Sequence, residues 1–386
     1  MINRKSIEWY LALFALLTLL IGWWAGKRAE KDEDISNIIK LYPYHSYNIK
    51  SVSPKVYKLY PKSGLPFSYV ILGTGKGYAG PLRIVARYDK NGKLENIDII
   101  DSKETPSYQQ KVLKHNYLYN FKHTGLPLII ENDFTTDAIT GATKTCEGIV
   151  EALRHSAIEL AEIKNINIPE QDKQDKIAVS YKEVTVLILL VLGTLARIKK
   201  FRYKKYLKWI TLISGTIFLG FILNQPITTT RLNSFLMGFW PDWHSELYIY
   251  LLVFGILLIL LTSGKNVYCG TFCPFGAVQE IIGKAGNVKP YKPKNRLIWT
   301  WVQRSYAWSA VLLALIFRSP AISEYEVYSN LFQFTGTTWM FILLALVIIT
   351  SLFLKRPWRV YLCPVNPIFG FIQLFRKKIK GIINHI

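Results

Sequence analysis

Six apolar stretches limit how this chain can fold more than any single motif does. Residues 9–25, 184–196, 206–224, 247–263, 298–317 and 338–354 are apolar almost throughout. A helix that crosses a bilayer needs about 20 such residues. The second stretch is short and spans only if it begins near residue 179. The first lacks a small-residue cleavage site, since it ends in Trp23-Trp24-Ala25-Gly26. It therefore reads as an uncleaved anchor and not as a signal peptide.

Lysine and arginine alternate between the stretches. Arg4 and Lys5 lie at the head, and RIKKFRYKK (197–205) holds six basic residues. Residues 264–297 hold six more, and the tail after Leu354 holds seven. The loops 225–246 and 318–337 carry only Arg231 and Arg318. Every second connection is thus basic. The positive-inside rule then places both termini in the cytoplasm and residues 27–178 outside. These basic segments account for 21 of the 48 lysines and arginines, so the net charge of +22 reads largely as anchoring to a lipid bilayer. No zinc-finger spacing or RNA-binding signature accompanies the charge, and no nucleic-acid partner is expected.

The expected organisation follows. Residues 1–26 form a transmembrane anchor, 27–40 a charged stalk, and 41–165 an α+β extracytoplasmic domain. Residues 166–205 comprise a linker, a second transmembrane helix and a basic cytoplasmic loop, and 206–386 a four-helix membrane domain. The fold class is an α+β domain joined to an all-α membrane bundle of six transmembrane helices with an internal repeat. In the outer domain FSYVILG (67–73), PLRIVARYD (81–89) and LENIDIID (94–101) have strand character, and Lys90-Asn91-Gly92-Lys93 is a hairpin turn. CEGIVEALRHSAIELAEI (146–163) reads as a helix with Ile149, Ala152, Leu153, Ala157, Leu160 and Ala161 near one face. The glycine-rich GTGKGYAG (73–80) leads into a strand and not a helix, so it is no dinucleotide fingerprint. It suits a tight turn or a backbone that lies against a ligand.

DAITGATKT (137–145) stands directly before that helix, where backbone amides point outward and favour a phosphate. A plain reading makes Thr143 or Thr145 a helix cap. The whole of Asp137-x-x-Thr140-Gly141-Ala142-Thr143 resembles the flavinylation motif of the FMN-binding domain found in subunits of sodium-translocating NADH:quinone reductases and Rnf-type complexes. The resemblance implies FMN joined through a phosphodiester to Thr143, with Asp137 as the motif acid and a flavin transferase as maturation partner. Gly77 and Tyr78 fall in a stretch, 75–101, that looks like the family's glycine loop, hairpin and strand. Glu104 and Thr105 match its Glu-Thr-Pro-Gly turn near the flavin, with Ser107 where glycine is usual.

Residues 206–386 repeat. VYCGTFCPFGAVQEI (267–281) and WRVYLCPVNPIFGFIQL (358–374) each follow a helix, a loop and a second helix. Cys269-x-x-x-Cys273-Pro resembles the paired motifs of NosR/NapH-like membrane iron–sulfur proteins and of NosR-type flavoproteins. The resemblance makes Cys269, Cys273 and Cys363 candidate metal ligands. Arg359 stands where a fourth cysteine belongs, and an iron–sulfur cluster usually takes four. The same cysteines also suit a role as small buried side chains. Cys146 reads as a residue of the packed helix face. The six histidines avoid the apolar stretches, so paired-histidine haem ligation is not expected. The aromatic loop FLMGFWPDWHSE (235–246) reads as an interfacial belt or as a quinone-facing surface.

Together the resemblances imply a flavoprotein of the bacterial cytoplasmic membrane. It would carry electrons from the quinone pool, a cytoplasmic donor or a partner electron-transfer subunit to an extracytoplasmic reductase. No catalytic residue is assigned. Two other classes stay open: a redox-sensing or maturation regulator, and a transport or scaffold subunit with a vestigial flavin site.

Overall fold

The structure, a computed structural model, describes residues 4–29, 47–61, 67–131, 137–166, 180–198, 200–289 and 295–383. The chain falls into two compact units. One comprises Ala25–Lys173 and Arg318–Ala321, the other Met1–Trp24, Gln174–Phe317 and Ile322–Ile386. Most of the expected stalk lies outside the described residues. Its first residues, 27–29, continue the anchor helix, which runs Arg4–Ala29.

The first unit is built on a five-stranded antiparallel meander in sequence order: β1 Tyr47–Ser53, β2 Val56–Pro61, β3 Ser68–Lys76, β4 Pro81–Tyr88 and β5 Leu94–Ser102. Three of these strands match the sequence expectation. The other two are β1, the edge strand, most of which is exposed, and β2, which pairs with both β1 and β3 and buries Val56, Tyr57 and Leu59. With so little of β1 covered, YNIKSVS alternates only over Tyr47-Asn48-Ile49-Lys50 and then breaks the pattern. The expected turn between β4 and β5 is present. Asp89 accepts from the Asn91 and Lys93 amides at 2.8 and 2.7 Å, and Gly92 takes φ +91°.

The helix Thr143–Ile163 covers one face of the sheet. Ile149, Ala152, Leu153, Ala157, Leu160 and Ala161 are all fully buried in the core it forms, together with Cys146. Tyr88 and Ser156 share a hydrogen bond of 2.7 Å there, which satisfies both buried hydroxyls. The tight turn expected of the glycine loop is present at residues 77–80, where the Gly77 amide donates to the Gly80 carbonyl at 3.0 Å and Lys76 pairs with Pro81; the rest of the loop is strand. Gly73 and Gly75 belong to β3, and a Cβ on either would overlap the backbone of the covering helix, at Ala152 and Gly148. Their lack of a side chain serves sheet–helix contact. A smaller cluster of Tyr57, Leu59, Val70 and Val85 covers the opposite face.

The second unit is helical. Among the described residues two helices are long and apolar enough to cross a membrane, Ile7–Ala29 and Lys204–Ile222. Leu247–Ser263 and Thr338–Ser351 are apolar but shorter. Tyr181–Leu195 has 15 residues, about 22 Å at 1.5 Å per residue, and begins after the start that a full span requires. Six spans remain an expectation of the sequence.

The repeat is visible in backbone geometry. Each copy has a long helix (Lys204–Ile222, Arg296–Ile316), a short one (Thr229–Met237, Tyr328–Phe332) and an apolar one (Leu247–Ser263, Thr338–Ser351). Each then makes one π-helical turn, Tyr268–Phe272 or Trp358–Leu362, that ends on Cys-Pro. Cys273 and Cys363 share φ near −63° and ψ 118°. Their amides close the turns on Tyr268 and Trp358 carbonyls at 2.9 and 2.7 Å. The proline after each cysteine disfavours helical ψ at that residue, which ends one helix and starts the next.

Candidate functional site

Three segments of the first unit meet on one carboxylate. Glu104 is buried; its Oε1 accepts from the Ala79 amide at 2.7 Å and its Oε2 from Thr145 Oγ1 at 2.5 Å. It thereby ties the glycine loop and the start of the Thr143–Ile163 helix to the turn that follows β5. Gly77 makes room for this arrangement, because a Cβ there would displace the Glu104 carboxyl. Tyr78 is buried edge-on against Tyr108, with ring centroids 5.5 Å apart. Thr105 is buried too, and its hydroxyl has no hydrogen-bond partner among the described residues. A buried hydroxyl left unpaired carries a desolvation cost that a ligand atom would relieve.

Thr143 opens the helix, and its side chain is exposed. Neither threonine is a cap. Ala142 holds the N-cap position with no side-chain hydrogen bond, and Thr145 points at Glu104 instead. The N-cap residue therefore offers the first turn no side-chain acceptor, and the helix start lies beside an accessible hydroxyl. Gly141 at φ +81° turns the chain into the helix, a conformation that a β-carbon disfavours. Asp137 and Thr140 stand exposed just before it. Cys146 is fully buried on the core face, and burial raises its thiol above the usual range.

In the helical unit Cys269 and Cys363 are buried and Cys273 is partly so. All three share an aromatic core with Tyr268, Phe275, Tyr328 and Trp358. Tyr328 Oη lies 3.8 Å from Cys363 Sγ. Burial, and then Cys273, push the Cys269 thiol up to about 11. The Arg359 that replaces a fourth cysteine is turned to the first copy: its Nη1 donates to the Cys269 carbonyl at 3.1 Å. Arg356 Nη1 donates to the same oxygen at 2.8 Å and pairs with Glu280, which also takes Lys208. Sequence reasoning missed Arg356 and Glu280. Its place in the basic tail makes Arg356 an anchoring charge, and nothing in the spacing pairs it with a residue 76 positions earlier. Among the described residues no group of three or more His, Cys, Asp or Glu is placed to hold a metal ion.

Comparison with known proteins assigns both regions. Residues 77–157 match an FMN-binding domain, and residues 247–293 and 335–382 both match a 4Fe-4S binding domain. The chain joins an FMN-binding domain to a 4Fe-4S binding domain. It is similar to Protein NirI of Paracoccus denitrificans, at 30% identity over 208 residues, 49% of this chain and 30% of that protein. Regulatory protein NosR of Stutzerimonas stutzeri is 23% identical over 254 residues, 60% of this chain and 34% of NosR. Putative electron transport protein YccM of Escherichia coli is 27% identical over 158 residues, 36% of this chain and 43% of YccM. The chain thus matches 30–43% of the length of these relatives. No solved structure matches it significantly.

The FMN-binding match begins at Gly77 and takes in Glu104, Thr105, Asp137 and Thr143. The unpaired Thr105 hydroxyl and the uncapped helix start beside Thr143 suit a flavin phosphate and ring. The 4Fe-4S match covers Cys269 and Cys273 in its first segment and Cys363 in its second. Here the donor set falls short: the helical unit offers three thiols to a cluster that usually takes four. Iron and acid-labile sulfide in the purified protein test whether three thiols suffice: a cluster held here loses most of both in Cys273→Ser. Equal iron in variant and wild type would remove the thiol from the site.

Proposed function

We propose that the chain is a membrane electron-transfer flavoprotein whose FMN is attached to Thr143 on the extracytoplasmic side. The observation that carries this is the exposed Thr143 hydroxyl at an uncapped helix start, within one cluster with the buried Glu104 and the unpaired Thr105. FMN, when bound, supplies reversible one- and two-electron chemistry. The protein's part is to hold and present it. Thr143 would anchor the phosphate, and the first-turn amides and helix dipole would stabilise its charge. Thr105 would offer its hydroxyl, and Glu104 would keep the two flanking segments in place. A covalent anchor suits a site outside the cell, where a loosely held cofactor is lost by dilution.

The alternation of basic and acidic loops supports six spans with both termini in the cytoplasm. On that topology Cys269, Cys273 and Cys363 lie near the inner face, and a quinone or partner subunit would bridge them to the flavin. The similarity to YccM, a putative electron transport protein, favours the carrier reading. The similarity to Regulatory protein NosR favours a second one, in which the same flavin reports redox state to a reductase's expression or maturation.

Proteoliposomes separate the two. The protein, co-expressed with a flavin transferase, is reconstituted and a soluble quinol is added. A carrier loses its yellow colour and recovers it with an added extracytoplasmic oxidant. A flavin that is loaded but stays oxidised in quinol rules out the quinol-linked carrier and leaves the sensor.

A further inference from the structure

Around Arg359 the helical unit contains a cavity of about 650 Å³, within the size range of small-molecule sites. Five arginines line it: Arg197, Arg296, Arg304, Arg356 and Arg359. Lys265 and Lys355 add two more cations, and no aspartate or glutamate lines it. These residues come from four separate parts of the chain, so local sequence does not explain their convergence. Among the described residues only two have a carboxylate partner. Arg356 pairs with Glu280, and Arg304 stands 4.0 Å from Glu8.

Membrane anchoring alone would spread these charges outward over the surface. Here they face one space. Arg197, Arg296 and Lys355 are exposed at the rim, while Arg356, Gln303 and Asn266 are buried. Arg356 Nε is buried without a hydrogen-bond partner. Burial, and then Arg359, lower the proton affinity of Arg197. Cations so crowded in a partly enclosed space repel one another unless an anion joins them. Planar guanidinium forks match phosphate oxygens two at a time, which favours phosphate over a simple ion. Trp299, packed on Tyr361 at 4.9 Å, gives one wall an apolar face.

We propose that this cavity binds a phosphate-bearing polyanion, held by the five arginines and two lysines beside the Cys269 turn. The phosphate belongs either to an anionic lipid headgroup or to a soluble phosphate compound. Basic pockets between helices on the cytoplasmic side suit the former. Occupancy bears on the cysteines, because Arg356 and Arg359 both hold the Cys269 carbonyl. The site also gives Arg359 a use at the position where the repeat omits a thiol.

The test uses the full chain in neutral detergent. Pyrophosphate is titrated calorimetrically, and retention of cardiolipin against phosphatidylcholine is read by native mass spectrometry. We expect saturable binding of one anion per chain, weakened about tenfold or more in the Arg296→Gln/Lys355→Gln variant as charged hydrogen bonds are lost. Cardiolipin retained without pyrophosphate binding assigns the lipid. Pyrophosphate binding without cardiolipin assigns a soluble compound, and displacement of one by the other shows that they share the cavity. Undiminished binding in a folded variant overturns the site. Should the variant misfold, the wild type decides alone: equal retention of both lipids and no heat from pyrophosphate overturns it.

Discussion

Replacing Thr143 by alanine is expected to remove all flavin that survives denaturation. Wild-type protein co-expressed with a flavin transferase should fluoresce as a yellow band on a denaturing gel, and Thr143→Ala should be dark. The loss would be chemical and not a folding defect. Thr143 is exposed and its hydroxyl makes no hydrogen bond among the described residues, and substitutions at such surface positions usually change stability by no more than about 0.5 kcal/mol. Two nearby hydroxyls serve as controls. Thr140 is exposed and is the rival attachment point, so Thr140→Ala should stay bright. Thr145 is buried on Glu104, so Thr145→Ala should keep its flavin while melting lower. A bright Thr143→Ala band, or a dark wild type with transferase present, overturns the attachment. Mass spectrometry of the peptide that carries Thr143 gives an independent reading.

The second large effect is structural. Gly75→Ala is expected to destabilise the FMN-binding unit by about 3 kcal/mol, the upper end of what overpacking costs. An added Cβ would overlap the Gly148 carbonyl and stand 2.9 Å from the Ala152 amide nitrogen. Both are backbone atoms of the covering helix, and no side chain can swing aside to relieve them. The strand or the helix must move, and the helix carries Thr143 at its start. Single domains are stable by only about 5–15 kcal/mol, so the variant should melt well below wild type and bind flavin poorly. Gly125→Ala is the matched control, since its Cβ would meet only Pro127 Cδ at 3.8 Å. Melting of the full chain followed through flavin fluorescence tests the pair. Equal midpoints for the two variants would refute the close-packing account of β3.

Much was legible because it is local. The hairpin at Asn91-Gly92, the buried stripe of the Thr143–Ile163 helix, and the two Cys-Pro turns depend on neighbours a few positions apart, and the structure shows all three. The motif acid and threonines before the helix, and the three cysteines, were likewise read from order along the chain. Strands β1 and β2 escaped for different reasons: β1 is a mostly exposed edge, and β2 buries Val56 on one face and Tyr57 and Leu59 on the other, so neither keeps a sustained alternation.

What the tertiary structure alone decided concerns distant partners. Gly73 and Gly75 looked like a turn or a ligand loop; their close contact with helix backbone about 75 residues away shows they serve packing. Thr145 looked like a cap, and Glu104 claims it across 41 residues. The basic residues read singly as anchors, and only folding gathers seven of them into one cavity. Periodicity and spacing record what a residue requires of its own segment. Contact between segments depends on how helices and strands stack, and one chain's order of residues carries no direct mark of that.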